Sequence, residues 1–415
     1  MSKWEWKKLG EVAKIYNGNS INANVKKERY SNVESGFPFI ATKDVGNDSE
    51  VDYENGIRIP FEEAGFKVAR KDTVLICAEG GSAGKKKCIL NEDVCFGNKL
   101  FAIDYNREKL IGKFVFYYTF EQSFTDEFQK LLSGIIGGVS SAKFKEIQIP
   151  IPPLSEQKRI VKFLDEEFSK IDTLKTNAET NLKNAKELLE TTLEKELNPL
   201  SRHSERSEES SADLPSGWEW RTLQDICRKI VDGTHNSPPN KVKGDYQYIT
   251  AKNIKADGID LSDVTYVSKE VHKEIFARCN PEKGDVLLIK DGATTGIAVI
   301  NTLDYEFSLL SSVALIKVDK AKIYEKTLVY LLNSRAIYKQ MRKKMDGAAI
   351  TRLTLEKIKT LQIPLPPLSV QKEIVARLDK LSEDVKRLEA NYKQIIANCD
   401  ELKKSILKKT FEGES

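Results

Sequence analysis

No stretch of about 18 apolar residues occurs in the 415-residue chain, so nothing in it predicts a membrane-spanning helix. The start, Met1-Ser2-Lys3-Trp4, has no apolar segment of the kind a secretory signal needs, and a cytoplasmic protein is expected. Cysteine is sparse, and Cys77, Cys88, Cys95, Cys227, Cys279 and Cys399 form no Cys-x-x-Cys pair. That pattern suits a reducing compartment and argues against zinc. Histidine is scarcer. His203, His235 and His272 have no partner at metal-ligand spacing, so no metal is expected. Charge of one sign is missing too, since 66 Lys+Arg against 62 Asp+Glu leave only +4. Neither Gly-x-Ser-x-Gly nor His-Glu-x-x-His appears, and carboxylate spacing singles out no acid–base pair. The run Glu79-Gly80-Gly81-Ser82-Ala83-Gly84-Lys85-Lys86 fails as a phosphate-binding loop at Glu79 and at Lys86. Ser237-Pro238-Pro239-Asn240 lacks the aromatic residue that would stack on a flipped base.

What the chain does contain is a repeat. Trp4-Glu5-Trp6 returns as Trp218-Glu219-Trp220, 214 residues later, which accounts for every tryptophan. Gln148-Ile149-Pro150-Ile151-Pro152-Pro153-Leu154-Ser155 returns at the same shift as Gln362-Ile363-Pro364-Leu365-Pro366-Pro367-Leu368-Ser369. The match runs on through Gln157-Lys158 and Gln371-Lys372. Between these anchors the copies resemble each other in order but diverge in detail. A duplicated frame with altered interiors accounts for both facts.

Each copy reads as a mixed α/β domain, residues 1–150 and 218–364. Strand-like runs at 72–77 and 285–289 end in glycine turns, and helical patterns follow at 113–132 and 326–345. The proline step is expected to stop the domain, because its prolines cannot continue a strand ladder. Ser155 and Ser369 then read as N-caps of long helices, of about 43 residues and roughly 64 Å. The first, with its proline step, takes up 151–197 and the second 365–415. In the second helix Leu378, Leu381, Val385, Leu388, Ile395 and Leu402 mark a heptad seam; in the first, Ile160, Leu164, Ile171, Leu182 and Leu189 make a similar stripe. Two helices too long for their own domains are expected to pack on each other. The segment 198–217 is a polar, serine-rich linker. The fold class is α+β.

The loops supply donors and acceptors. In the first domain these are Lys43, Lys85, Lys86, Lys87, Asn98, Lys99, Ser140 and Lys143. In the second they are Thr234, His235, Asn236, Lys241, Lys243, Lys252, Asn253, Lys290, Thr294, Thr295, Ser311, Ser312 and Arg352. Lysine and arginine hold phosphates, and amides, hydroxyls and guanidinium groups read base edges. At matching places in two domains they point to a nucleic-acid surface.

The duplicated proline step, the Trp-x-Trp-x-x-Leu openings, the Asp232-Gly233-Thr234-His235 loop, Leu332-Asn333-Ser334, and the glycines Gly134 and Gly347 resemble the specificity subunit of type I restriction–modification systems. The resemblance covers nearly the whole chain. Val370 departs from it where the first copy has Glu156, and the linker has the character of an insertion. The resemblance implies two target recognition domains, each reading half of a split, asymmetric site on double-stranded DNA. It implies an antiparallel helix pair that sets the gap, with an internal pseudo-two-fold repeat. It further implies two methyltransferase subunits bringing S-adenosylmethionine, and translocase-nuclease subunits bringing ATP and Mg, with no cofactor or catalytic residue on this chain. A stand-alone DNA-modifying enzyme and a coiled-coil protein scaffold are the alternatives.

Overall fold

The computed structural model describes residues 4–31, 33–134, 137–198, 214–345 and 352–412. Most of the serine-rich linker, with His203, and Gly347 lie outside the described residues. The chain divides into two compact units, Met1–Glu179 with Lys393–Ser415, and Thr180–Tyr392.

At the centre of the first unit is Val74–Cys77, an unbroken apolar run buried at every position. Such a run suits a strand covered on both faces. Its alternation separates two cores. Val74 and Ile76 face the helices, while Leu75 and Cys77 face a smaller sheet. The main sheet is antiparallel, in the order Ala13–Asn17, Leu100–Tyr105, Val74–Cys77, Lys87–Ile89. The smaller sheet orders Arg58–Ile59, Phe37–Ile40, Val94–Phe96 and Val68–Ala69, with Phe39 parallel to Cys95.

The second unit repeats this plan. Its main sheet is Cys227–Asp232, Val313–Val318, Val286–Ile289, Ala298–Ile300. Val286 and Leu288 face one core, Leu287 and Ile289 the other. The smaller sheet is Thr265–Val267, Tyr246–Ile249 and Ser308–Leu309, again with one parallel pairing.

Each late helical region is two helices where one was expected. Gly112–Tyr118 and Gln122–Leu131 are separated where the Glu121 carboxylate accepts from the Ser123 N–H at 2.6 Å and restarts the helix. Ser334 does the same between Glu325–Leu332 and Arg335–Lys344.

The proline step ends each domain, but as a strand. Gln148–Ile151 pairs antiparallel with Glu5–Lys8, placing Pro150 opposite Trp6, and Gln362–Leu365 pairs with Glu219–Thr222, placing Pro364 opposite Trp220. These ladders have only two strands, so a proline whose missing N–H faces away from the partner forfeits no bond. The repeated anchors are therefore the two ends of each domain, zipped together.

The long helices run Leu154–Leu197 and Leu368–Glu412, of 44 and 45 residues. They begin before the serines expected as caps. The carbonyls of Pro153 and Pro367 accept from the N–H groups of Gln157 and Gln371 at 3.0 and 2.9 Å, which puts Ser155 and Ser369 in the first turn. Glu156 pairs with Arg159 at 2.8 Å, and its replacement Val370 packs on the second core.

Within the first unit Asp172 pairs with Lys403, and Lys175 with Asp400 at 2.7 Å. Numbers rise along one helix as they fall along the other, so the pairing is antiparallel. Within the second unit Arg377 meets Glu196 at 2.7 Å. Such exposed pairs contribute about 0–1 kcal/mol each and set register more than stability.

The seam is narrower than expected. Ile160, Leu164, Ile171, Leu378 and Val385 are buried, together with Ala178, Ala185 and Cys399. Leu182, Leu189, Leu381 and Ile395 are half-buried, and Leu388 and Leu402 are 37% and 47% exposed. From Leu164 to Ala185 one residue in seven is buried, and in the second helix Tyr392, between Val385 and Cys399, is only half-buried. Helices meeting through alanines approach along a single row, and the second row is left on the rim. The helix ends also join domain cores. Phe411 lies 5.3 Å from both the Phe114 and Tyr118 rings, and Leu193 and Leu197 enter the core of the second unit.

A buried glutamine fastens each domain to its helix. Gln157 donates to the carbonyls of Lys109 and Pro152 at 2.7 and 2.9 Å and accepts from the Ile111 N–H at 2.9 Å. Gln371 repeats this with Lys322, Pro366 and Tyr324 at 3.0, 2.8 and 2.9 Å. Beside each, one aspartate takes a lysine and a tyrosine: Asp165 with Lys113 and Tyr117, Asp379 with Lys326 and Tyr330.

Candidate nucleic-acid interface

The strand Cys227–Asp232 runs into Asp232-Gly233-Thr234, where the chain passes so close to a neighbouring loop that a Cβ on Gly233 would sit 1.8 Å from the Leu309 carbonyl oxygen. The Thr234 N–H donates to that carbonyl at 2.9 Å, and the Ser311 N–H donates back to the Thr234 carbonyl at 2.9 Å. Two further crossings continue the lattice. The Lys290 N–H donates to the Ser312 carbonyl at 2.9 Å, and the Leu353 N–H to the Lys290 carbonyl at 2.8 Å.

The first unit builds the same edge from Asn17-Gly18-Asn19. A Cβ on Gly18 would lie 1.9 Å from the Phe96 carbonyl oxygen. The N–H groups of Asn19, Ala78 and Val139 donate to the carbonyls of Phe96, Lys99 and Ala78 at 2.8, 2.8 and 3.0 Å. Paired bridges confirm the correspondence: Asn19 with Gly97 and Glu79 with Gly138 in one unit, Thr234 with Leu310 and Asp291 with Arg352 in the other.

This lattice brings together Asn98, Lys99 and Ser140 in the first unit, and Thr234, His235, Ser311, Ser312 and Arg352 in the second. Lys43 and Lys85 are exposed on adjoining turns, and Lys86 donates to the Thr42 carbonyl at 3.2 Å. Ser140 caps the short helix Ser141–Phe144, which carries exposed Lys143. Asn236 and Thr294 are exposed. Lys241 is tied through its backbone to Tyr266, and Lys252 pairs with Asp263 at 2.9 Å.

Four expected contact residues are turned inward. Lys87 is 3% exposed, because the strand Lys87–Ile89 starts there and its alternation sends the third lysine of the run into the core. Asn253 is buried and caps its own turn through the Thr250 N–H at 3.1 Å. Thr295 is buried and donates to the Gly292 carbonyl at 2.7 Å. Lys290 is 3% exposed, 3.5 Å from the equally buried Asp232 and 3.0 Å from Asp291.

The family model for the type I restriction modification DNA specificity domain matches residues 1–184 and again residues 215–397. The chain belongs to that family. Among specificity-family relatives, the type I restriction enzyme EcoBI specificity subunit of Escherichia coli is 24% identical over 421 residues, 98% of this chain and 85% of the relative. The HsdS subunit from Thermoanaerobacter tengcongensis shares the fold at a TM-score of 0.60 and 20% identity, over 100% of this chain and 98% of that one. A chain from a structure addressing complex assembly and conformational transition of the type I R-M system gives a TM-score of 0.74 at 20% identity, over 99% and 98%.

The sequence offers Asp232 and Asp291 in their loops but not their partners: Asp232 holds Arg278 and lies 3.2 Å from His235, and Asp291 holds Arg352 at 3.1 Å. In the first unit Glu79 holds Lys99 at 3.2 Å, and Lys67 donates to the Asn17 carbonyl at 2.8 Å. The signal available was the alignment of Asn17-Gly18-Asn19 with Asp232-Gly233-Thr234. No group of His, Cys, Asp and Glu suited to a metal occurs among the described residues, and no helix among them is long and apolar enough to cross a membrane.

Lys87 has a measurable consequence. Its Nζ donates to the Thr119 carbonyl and lies 4.3 Å from the Phe120 ring centroid, and burial pushes its ammonium down to about 7 from 10.5. With a folded value below the unfolded one, the folded state binds fewer protons between those limits. Stability therefore climbs from about pH 7 towards pH 10.5 and carries the full penalty below pH 7. Lys87→Met keeps the apolar stem. It is expected to raise stability at pH 6.5 by at least about 1 kcal/mol and to flatten the rise with pH. Urea midpoints across pH check this; a lower midpoint at pH 6.5 would show that the carbonyl and ring contacts outweigh desolvation.

Proposed function

We propose that this chain is the DNA sequence-recognition subunit of a type I restriction–modification complex, each globular domain reading one half of a split, asymmetric site. The observation that carries the reading is the duplicated loop edge. Its backbone lattice is the same in both units, down to the glycine pressed on a carbonyl, while its outward side chains differ. A constant lattice with altered side chains is what two readers of different sequences require. Base contacts would come from those side chains, and exposed lysines such as Lys43, Lys85 and Lys143 would hold phosphates.

In this reading the chain is not itself an enzyme. Methyl transfer and S-adenosylmethionine belong to two methyltransferase subunits, and ATP and Mg to translocase-nuclease subunits, all acting in the cytoplasm on double-stranded DNA. Methylome sequencing of the host with and without the chain tests it. A two-part motif that disappears on deletion is expected. Unchanged methylation on deletion, or methylation by the purified chain alone, would refute it.

A further inference from the structure

In the second unit the interface is underlain by a chain of alternating charge that runs from the interior outward. Asp232 is 2% exposed and faces Lys290 at 3.5 Å; Lys290 donates to Asp291 at 3.0 Å; Asp291 accepts from Nε of Arg352 at 3.1 Å. The Arg352 side chain is 59% exposed at the outer end. Its backbone is fixed as well, since Arg352 bridges Asp291 and the next residue, Leu353, is fully buried.

A buried ion pair of this kind costs desolvation and is a poor device for stability alone. Here it orients a guanidinium. The Asp291 contact uses Nε, the inner nitrogen, and leaves the two terminal amino groups as a planar fork. That fork matches O6 and N7 of guanine in the major groove. A phosphate is the weaker match, because it would bring a second negative charge towards the Asp291 carboxylate, whereas a base edge is neutral. Resting on the recognition reading above, we propose that Arg352 reads a guanine in the half-site of the second domain, with Asp291 and Lys290 as positioning residues.

The first domain lacks this head. Opposite Glu79 stands Gly138, which has no side chain, and Glu79 instead holds Lys99 from a neighbouring loop at 3.2 Å. An ammonium has three donors on a point charge and no fork. The arginine readout is therefore confined to one half of the site.

The test is selection from a randomised library by the full chain, alone and with the methyltransferase subunits of its host, for wild type, Arg352→Lys, Arg352→Gln and Asp291→Asn. Wild type should select a G·C pair in the second half. Arg352→Lys should lower discrimination at that pair by about 5- to 150-fold, the equivalent of about 1–3 kcal/mol for a bidentate contact. Every other position should be retained. Asp291→Asn should blur the same pair without lowering non-specific affinity, which a merely structural role would not do. Three results overturn the proposal: no guanine in that half, selectivity unaffected by Arg352→Lys, or, in the charge-removing variant Arg352→Gln, affinity lost equally for all sequences with a shallower salt slope, the mark of a phosphate contact. If wild type selects no sequence at all, the recognition reading fails with it; if both half-sites survive Arg352→Lys, only the role of Arg352 fails.

Discussion

Gly233→Ala is expected to destabilise the second unit by about 3 kcal/mol or more and to abolish reading of one half-site. The reason is space rather than backbone conformation. The added Cβ would stand 1.8 Å from the Leu309 carbonyl oxygen and 2.2 Å from its carbon, both backbone atoms of a buried strand. Neither can rotate away, so the loop or the strand must move. Inserted methyl groups in packed regions cost about 1–3 kcal/mol and more where the surroundings cannot yield. Thr234 and Ser311 would lose the hydrogen bonds that depend on this approach. Gly292→Ala is the useful control, because that glycine has φ +106° and nothing within 4 Å of an added Cβ. Its cost is backbone strain alone, about 1–2 kcal/mol. Urea unfolding of both variants separates the two causes, and equal midpoints would show that the close approach is not made in solution. Gly18→Ala should do the same to the first unit, against the Phe96 carbonyl at 1.9 Å.

Exchanging residues 1–150 for another recognition domain of the family should change one half of the site completely and leave the other unaltered. The joints permit it. Glu5–Lys8 pairs with Gln148–Ile151, so all but the last position of that ladder travels with the exchanged segment. Gln157 stays behind on the helix and holds the Lys109 carbonyl and the Ile111 N–H, which any residue there can provide except proline at 111. The methylated motif reports the outcome, and a change in both halves together would mean that the domains do not read independently.

How much of this could be read from sequence depended on range. The tryptophan openings, the proline steps and the helices were visible because each is a local pattern repeated at one spacing. The strand formed by the proline step was not, because a two-stranded ladder tolerates proline in a way that a wider sheet does not. Lys85, Lys86 and Lys87 looked alike as a run, yet the strand beginning at Lys87 sends the last of them inward. Leu388 and Leu402 satisfied the heptad spacing, but alanines elsewhere in the seam decide how wide the contact is. Asp232 and Lys290 are far apart in the chain, and nothing local to either announces that they share a buried contact. The loop edges are assembled from such distant pieces, so the frame was visible and the candidate interface largely was not.

The glutamine clamps carry one more consequence. Gln157 and Gln371 grip only main-chain atoms of the loops they hold. Position 111 is isoleucine and its counterpart 324 is tyrosine, yet the bond to the backbone N–H is 2.9 Å in both. A fastening of this kind is blind to side-chain identity. The clamp itself therefore tolerates a change of side chain at the positions it grips, and those loops can be rewritten without this part of the mount having to adapt.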